Sequence, residues 1–170
     1  MGSSVIRPAF EMWPQYNRRI AEVVSAMTDD KLAIRAAPDL LPIWAVVGHT
    51  AAMRVYWLCE VVGEPGGETT PFFVDGTTVD WADDLDRPRS ALELGHGLDA
   101  SFRIVERCLD TWTFEMLSDW IERHYGGSTQ VHTRSSILQR LLTHEAYHSG
   151  ELSQTLGIRG LPQIDLWRGD

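Results

Sequence analysis

The feature that most constrains this chain is a single run near its C-terminal end, Arg134 to Gly157, with the sequence RSSILQRLLTHEAYHSGELSQTLG. It reads as one helix. Thr133 is placed to cap its N-terminus, and no proline or glycine interrupts it before Gly150. Gly157 follows Leu156 where such a helix would stop. At about 100° per residue, Ile137, Leu138, Leu141, His148, Leu152 and Leu156 share one stripe, with His144 at its edge. Two histidines one turn apart present both imidazoles to a single point, which is the arrangement a divalent metal ion requires. The rest of the chain must supply a third ligand and a fold that delivers it.

Three further helices are predicted upstream. Arg7 to about Met27 carries Phe10, Trp13, Tyr16, Ile20, Val23, Val24 and Met27 at three- and four-residue steps, with Pro14 marking a late start or a kink. Thr28 to Lys31 reads as a turn, and the connection after it ends at Ala37-Pro38-Asp39. Pro42 to Val62 is apolar almost all round, so it belongs in the middle of a bundle, with Gly63 just past its end. Ser90 to about Leu109 opens on a capping box, Ser90 with Glu93, and carries a stripe of Leu94, Leu98, Phe102, Val105 and Leu109. Between these helices lie two long connections. Gly63 to Pro88, rich in glycine, proline, threonine and acid, has Phe72, Phe73 and Trp81 as anchors, and its length suits either a link between two distant helix ends or a cover over the mouth of a pocket. Asp110 to His132 holds a short helix at Phe114 to Leu117 and a hairpin around Trp120 to His132, with Gly126-Gly127 at its tip. Four long helices and almost no strand signal predict an all-α fold, a four-helix bundle with long crossover connections in one domain spanning 1–170.

A chain of 170 residues can bury a sizeable core. With 24 acidic against 15 basic residues the net charge is −9, and no basic cluster stands out, so nucleic acid is an unsuitable partner. No apolar run approaches the roughly 20 residues that span a bilayer, so no membrane partner is expected. The opening MGSSVIRPAF lacks the basic and apolar regions of a secretory signal, and Ile6 stands where a myristoylation motif at Gly2 needs Ser or Thr. The expectation is a cytoplasmic protein. Cys59 and Cys108, each within a predicted helix and without a CxxC pattern, read as buried reduced thiols.

For a third ligand the candidates are His49, His96, His124, His132, the cysteines and nearby carboxylates. His49 stands out as a titratable group in an otherwise apolar helix, where an imidazole without a partner costs free energy. The alternative for His49 is a core histidine hydrogen-bonded to a backbone or hydroxyl group. His96, His124 and His132 read as surface or loop residues. Tyr147 and Arg54 are candidates to face a substrate, and Glu151 is expected beside the site or in solvent. Glu145 is the candidate catalytic group, either as a base or as a residue that orients a ligand or water, with a salt bridge along the bundle as the competing reading. His144-Glu145-Ala146-Tyr147-His148 also fits the HExxH motif of zincin peptidases, in which Glu145 would be the general base. Against that stand the few residues after His148 and the lack of a sheet.

Two segments carry a resemblance. Trp44-Ala45-Val46-Val47-Gly48-His49 and Leu141 to Leu152, with the tail Gly160 to Trp167, resemble the DinB-like (DinB/YfiT) superfamily. The resemblance implies a four-helix bundle with a long crossover, commonly a homodimer, with a three-histidine site at one end. Its ligands would be His49, His144 and His148, with water completing the shell, and zinc or nickel as the first candidates for the ion. It further implies thiol-dependent chemistry on a small-molecule substrate, with a low-molecular-weight thiol as co-substrate joined to an electrophile. A HExxH hydrolase and a non-catalytic metal-stabilised stress or interaction protein are the alternatives.

Overall fold

The computed structural model describes residues 5–166. Gly2, on which the myristoylation expectation falls, and Trp167, the end of the family-like tail, lie outside the described residues. The architecture is mostly helical, 59% helix with 11% strand, so the all-α expectation is corrected by two small hairpins.

The first predicted helix is divided. A 3-10 turn, Arg7–Phe10, precedes helix α1, Trp13–Ser25, and Pro14 sits in the first turn of α1, where a missing amide hydrogen costs nothing. Thr28 to Lys31, expected as a turn, belongs to a single helical turn, α2, Asp29–Leu32. Helix α3, Ile43–Val55, begins after Pro42 and continues into a π-helical turn, Tyr56–Val61. Gly63 then leaves the helix at φ +86°. Helix α4, Ala91–Thr111, opens on the expected Ser90–Glu93 capping box. Helix α5, Arg134–Ile158, is the long uninterrupted helix of the sequence reading, capped by Thr133 and Ser136.

The long connection holds a two-residue hairpin, β1 Phe73–Val74 with β2 Thr77–Thr78, closed by Asp75 and Gly76, both at positive φ. That Asp-Gly pair is a type I′ turn signal in the sequence. The second hairpin pairs β3, Trp120–Tyr125, with β4, Ser128–Thr133, around Gly126 and Gly127, and β4 runs directly into α5.

Helix α3 packs on both α4 and α5, and α1 packs on α4. One core cluster fills the space between them, including Trp13, Ile20, Trp44, Val47, Leu58, Leu98, Phe102, Ile137, Leu141 and Leu152. Phe72 and Trp81 plug the long connection into this core, their rings 4.5 Å apart, and both reach glycines of the helices: Phe72 at Gly97 and Trp81 at Gly48. A Cβ at Gly48 would stand 3.1 Å from that of Trp81, so the glycine permits the loop to lie this close to α3.

Candidate metal centre

Helix α3 carries His49 at the edge of its buried face, and α5 presents His144 and His148 from successive turns. The three ring nitrogens converge. His49 Nε2 and His148 Nε2 each lie 3.1 Å from His144 Nε2. One donor atom from each of the three histidines falls within 4.8 Å of the others. The rings meet edge to face, 4.4 Å between the centroids of His144 and His148 and 5.0 Å between those of His49 and His144.

Carboxylates fix two of the tautomers. His49 Nδ1 donates to Asp80 Oδ2 at 2.5 Å, and His148 Nδ1 donates to Glu151 Oε2 at 2.8 Å. With the proton held on Nδ1, each ring turns an Nε2 lone pair inward. His144 is held neutral: burial first, then the positive charges His148 and His49 would carry, push its pKa down to about 4. Three ring nitrogens converge on one small space, and a cation there would accept a lone pair from each. Bond lengths of about 2.0–2.1 Å and near-tetrahedral angles put nitrogens on one zinc ion roughly 3.3 Å apart, close to the spacing here. His144 Nδ1 is buried without a partner, so this ring lacks the outer support that the other two have. The donor set fits a divalent ion.

Asp80 was not legible as a site residue. It comes from the long connection just before the 3-10 turn Trp81–Asp83, where its other oxygen accepts from the Ala82 amide at 2.9 Å. The one signal in the sequence was its capping position ahead of the Trp81 anchor. Glu151 lies beside the site, as its spacing from His148 suggested.

Glu145 is placed elsewhere. It is 4% exposed, and its carboxylate lies in the core. Arg54 Nε donates to Oε1 at 2.7 Å and Arg54 Nη2 to Oε2 at 3.0 Å, while Trp13 Nε1 donates to Oε2 at 2.8 Å. Arg54, fully buried, also donates from Nη1 to the Leu98 carbonyl at 3.1 Å and to Ser101 Oγ at 3.3 Å. The network thus joins α1, α3, α4 and α5, and Arg54 faces no substrate. The buried stripe of α5 accordingly runs Ile137, Leu138, Leu141, Glu145, Ser149, Leu152, Thr155 and Leu156. His148, expected on that stripe, is half-buried at its flank beside His144. Apolar spacing does not reveal this stripe because Glu145 and Ser149 satisfy their polar atoms inside the core, Ser149 Oγ donating to the Glu145 carbonyl at 2.7 Å.

The other candidates separate cleanly. Tyr147 is 71% exposed, its ring against that of His148 at 5.1 Å. His96 and His124 are exposed, whereas His132 is half-buried against Trp57. Both cysteines are buried free thiols.

A family model described as the DinB superfamily matches residues 15–152. The fold is similar to that of a DinB-like protein from Bacillus cereus ATCC 10987, known from its crystal structure, with a TM-score of 0.68 at 18% identity over 95% of this chain and 96% of that one. No curated protein matches the chain. Among the described residues no helix is long and apolar enough to cross a membrane. The match spans α1 to most of α5 and takes in all three converging histidines, and the chain belongs to the DinB superfamily.

Proposed function

We propose that this protein is a metal-dependent transferase that joins a low-molecular-weight thiol to a small electrophile, with His49, His144 and His148 holding the ion. The observation that carries the reading is the convergence of three Nε2 atoms, with the His49 ring set by Asp80 and the His148 ring by Glu151. A divalent ion held by three neutral imidazoles keeps its full charge and, when bound, favours the deprotonated form of a thiol or water. The chain's own part is to orient the rings, to shield the centre beneath the long connection at Asp80 and Trp81, and to leave the Tyr147 side open. Zinc and nickel both suit this donor set.

The peptidase reading loses its base. HExxH hydrolysis needs the Glu145 carboxylate near the ion, and both of its oxygens are engaged by Arg54 and Trp13. The role this geometry supports for Glu145 is positional: it anchors the turn of α5 that carries His144. The four long helices are read as a bundle of the family's kind within one domain, working as a cytoplasmic homodimer.

Elemental analysis of the purified protein, followed by a screen of electrophiles with several cellular thiols, with and without chelator, tests the proposal. About one divalent ion per chain and chelator-sensitive conjugation are expected. No ion in the wild type, or full retention in His49→Ala, overturns the three-histidine site. A bound ion without conjugation by any thiol favours a non-catalytic, metal-stabilised protein. Sedimentation of the protein tests the dimer.

A further inference from the structure

One turn of α5 before His144 stands Arg140, and residues so spaced emerge on the same side of a helix. Arg140 borders a groove of about 430 Å³ lined also by His132, Ser136, Gln139 and Thr143. The floor beside it is aromatic. The Arg140 guanidinium lies 4.8 Å over the Trp57 ring, Arg123 lies 5.0 Å from the same ring, and His132 meets that ring edge-on at 5.0 Å. Trp57 sits in the π-helical turn that ends α3, a local irregularity of the kind often kept at functional sites.

The charge here is unbalanced. Arg123 is occupied, donating to Tyr56 Oη at 2.7 Å and to Gln130 Oε1 at 2.9 Å. Arg140 pairs with no carboxylate among the described residues, although the chain carries 24 acidic groups and a net charge of −9. His132 Nε2 is buried without a hydrogen-bond partner. Burial first, then the charges of Arg140 and Arg123, hold the His132 imidazole below its ordinary pKa, which marks a positive local field. A guanidinium stacked on an indole is pre-organised, with its N–H edge available for planar, bidentate recognition of a carboxylate.

We infer that the Arg140–His132 groove is a subsite for a carboxylate group of a molecule that reacts at the histidine centre. Arg140 would take the charge, and the His132 ring would line the groove beside it. The inference rests on the proposed function for what lies next door, and the carboxylate belongs either to the electrophile or to the thiol. Selectivity for acids over their neutral analogues then comes from α5 itself, one turn away from a metal ligand.

The test is calorimetric titration of chelator-treated and zinc-loaded protein with succinate and with its neutral diamide. Succinate is expected to bind both forms, the diamide neither. Arg140→Gln should weaken succinate by about tenfold or more, and Arg140→Lys by less, since a charge without the planar fork remains. Circular dichroism establishes that both variants are folded. Equal binding of the diamide, or binding of succinate untouched by Arg140→Gln, overturns the subsite. Binding seen only with zinc and indifferent to Arg140 assigns the anion to the ion and also overturns it. Succinate bound through Arg140 in a protein that takes up no zinc upholds the groove and sinks the three-histidine proposal alone. Where conjugation is measurable, Arg140→Gln should raise KM for the reactant that bears the carboxylate and spare the other; no change in either KM counts against the subsite.

Discussion

Arg54 and Glu145 form a two-pronged ion pair at the centre of the core, 2.7 and 3.0 Å between their paired atoms, immediately beside the residue that supplies the central imidazole of the metal centre. Buried pairs of this kind are weak net stabilisers, because desolvation offsets most of the attraction, yet breaking one strands a charge. Arg54→Ala or Glu145→Ala should therefore destabilise the fold by about 3–5 kcal/mol in urea denaturation. The double change Arg54→Met, Glu145→Leu should recover most of that loss. Recovery of stability without recovery of metal affinity would identify the pair as the anchor for His144.

Metal affinity should fall in two grades. His49→Ala, His144→Ala and His148→Ala each remove a donor and should abolish stoichiometric binding. Asp80→Ala and Glu151→Ala leave the donors and loosen their rings, so a loss of about 10–100-fold is expected. Competition with a fluorescent chelator separates the grades. Equal, negligible losses at Asp80 and Glu151 would show that the rings are set by packing alone.

The cysteines give the pH dependence. Burial raises the Cys59 thiol to about 11 and the Cys108 thiol to about 12, so neither ionises at neutral pH. A thiol reagent at pH 8 should label neither in the native protein and both after denaturation. A pKa raised on folding adds stability that is fully present below the unfolded value and is lost as pH rises through the folded one. Stability should thus decline between about pH 9 and pH 12, and a double Cys→Ala variant should show a flatter profile there.

Two glycines should respond with opposite signs. Alanine at Gly48 would press on the Trp81 Cβ at 3.1 Å and Cε3 at 3.2 Å, and these atoms lie next to the backbone of the residue that follows Asp80. A loss of about 1–3 kcal/mol is expected, with weakened metal binding. Gly150 lies within α5 with open space where its Cβ would go, so Gly150→Ala should add about 0.5–1 kcal/mol by helix propensity. Thermal melts of the two variants settle both signs.

Much of this molecule was legible in its sequence. Long helices declare themselves through repeated apolar spacing, and His144 and His148 were visible because one helical turn fixes their relation without any tertiary information. His49 was visible because an imidazole is out of place in an apolar helix. Asp80 was not, since a loop has no period and nothing in its composition says which acid turns inward. Glu145 was legible as the carboxylate inside the His144–His148 motif, with a catalytic role and a salt bridge along the bundle both open. Its burial depends on Arg54 arriving from another helix, and two charges that cancel in space leave no trace in a pattern of apolar residues. The β1–β2 hairpin was announced by Asp75-Gly76 and was obscured by strands only two residues long.

The segment from Phe72 to Trp81 closes on itself, since the two rings touch at a tilt of 48° and the Val79 amide donates to the Phe72 carbonyl at 2.7 Å. Asp80 therefore takes its position from the base of this small closed arc and not from the remaining length of the connection. The chain can be lengthened or recomposed at the exposed Asp75-Gly76 tip without disturbing the carboxylate that steers His49, whereas Gly67 and Thr70, packed against Phe73 and bonded to the Phe72 amide respectively, belong to the fixed base. A single residue gained between Val79 and Trp81 would throw it out of register. Drift in the cover of the site and constancy in its chemistry are compatible because they are assigned to different stretches of one loop, and the tip is the natural place to attach a reporter group that leaves the centre untouched.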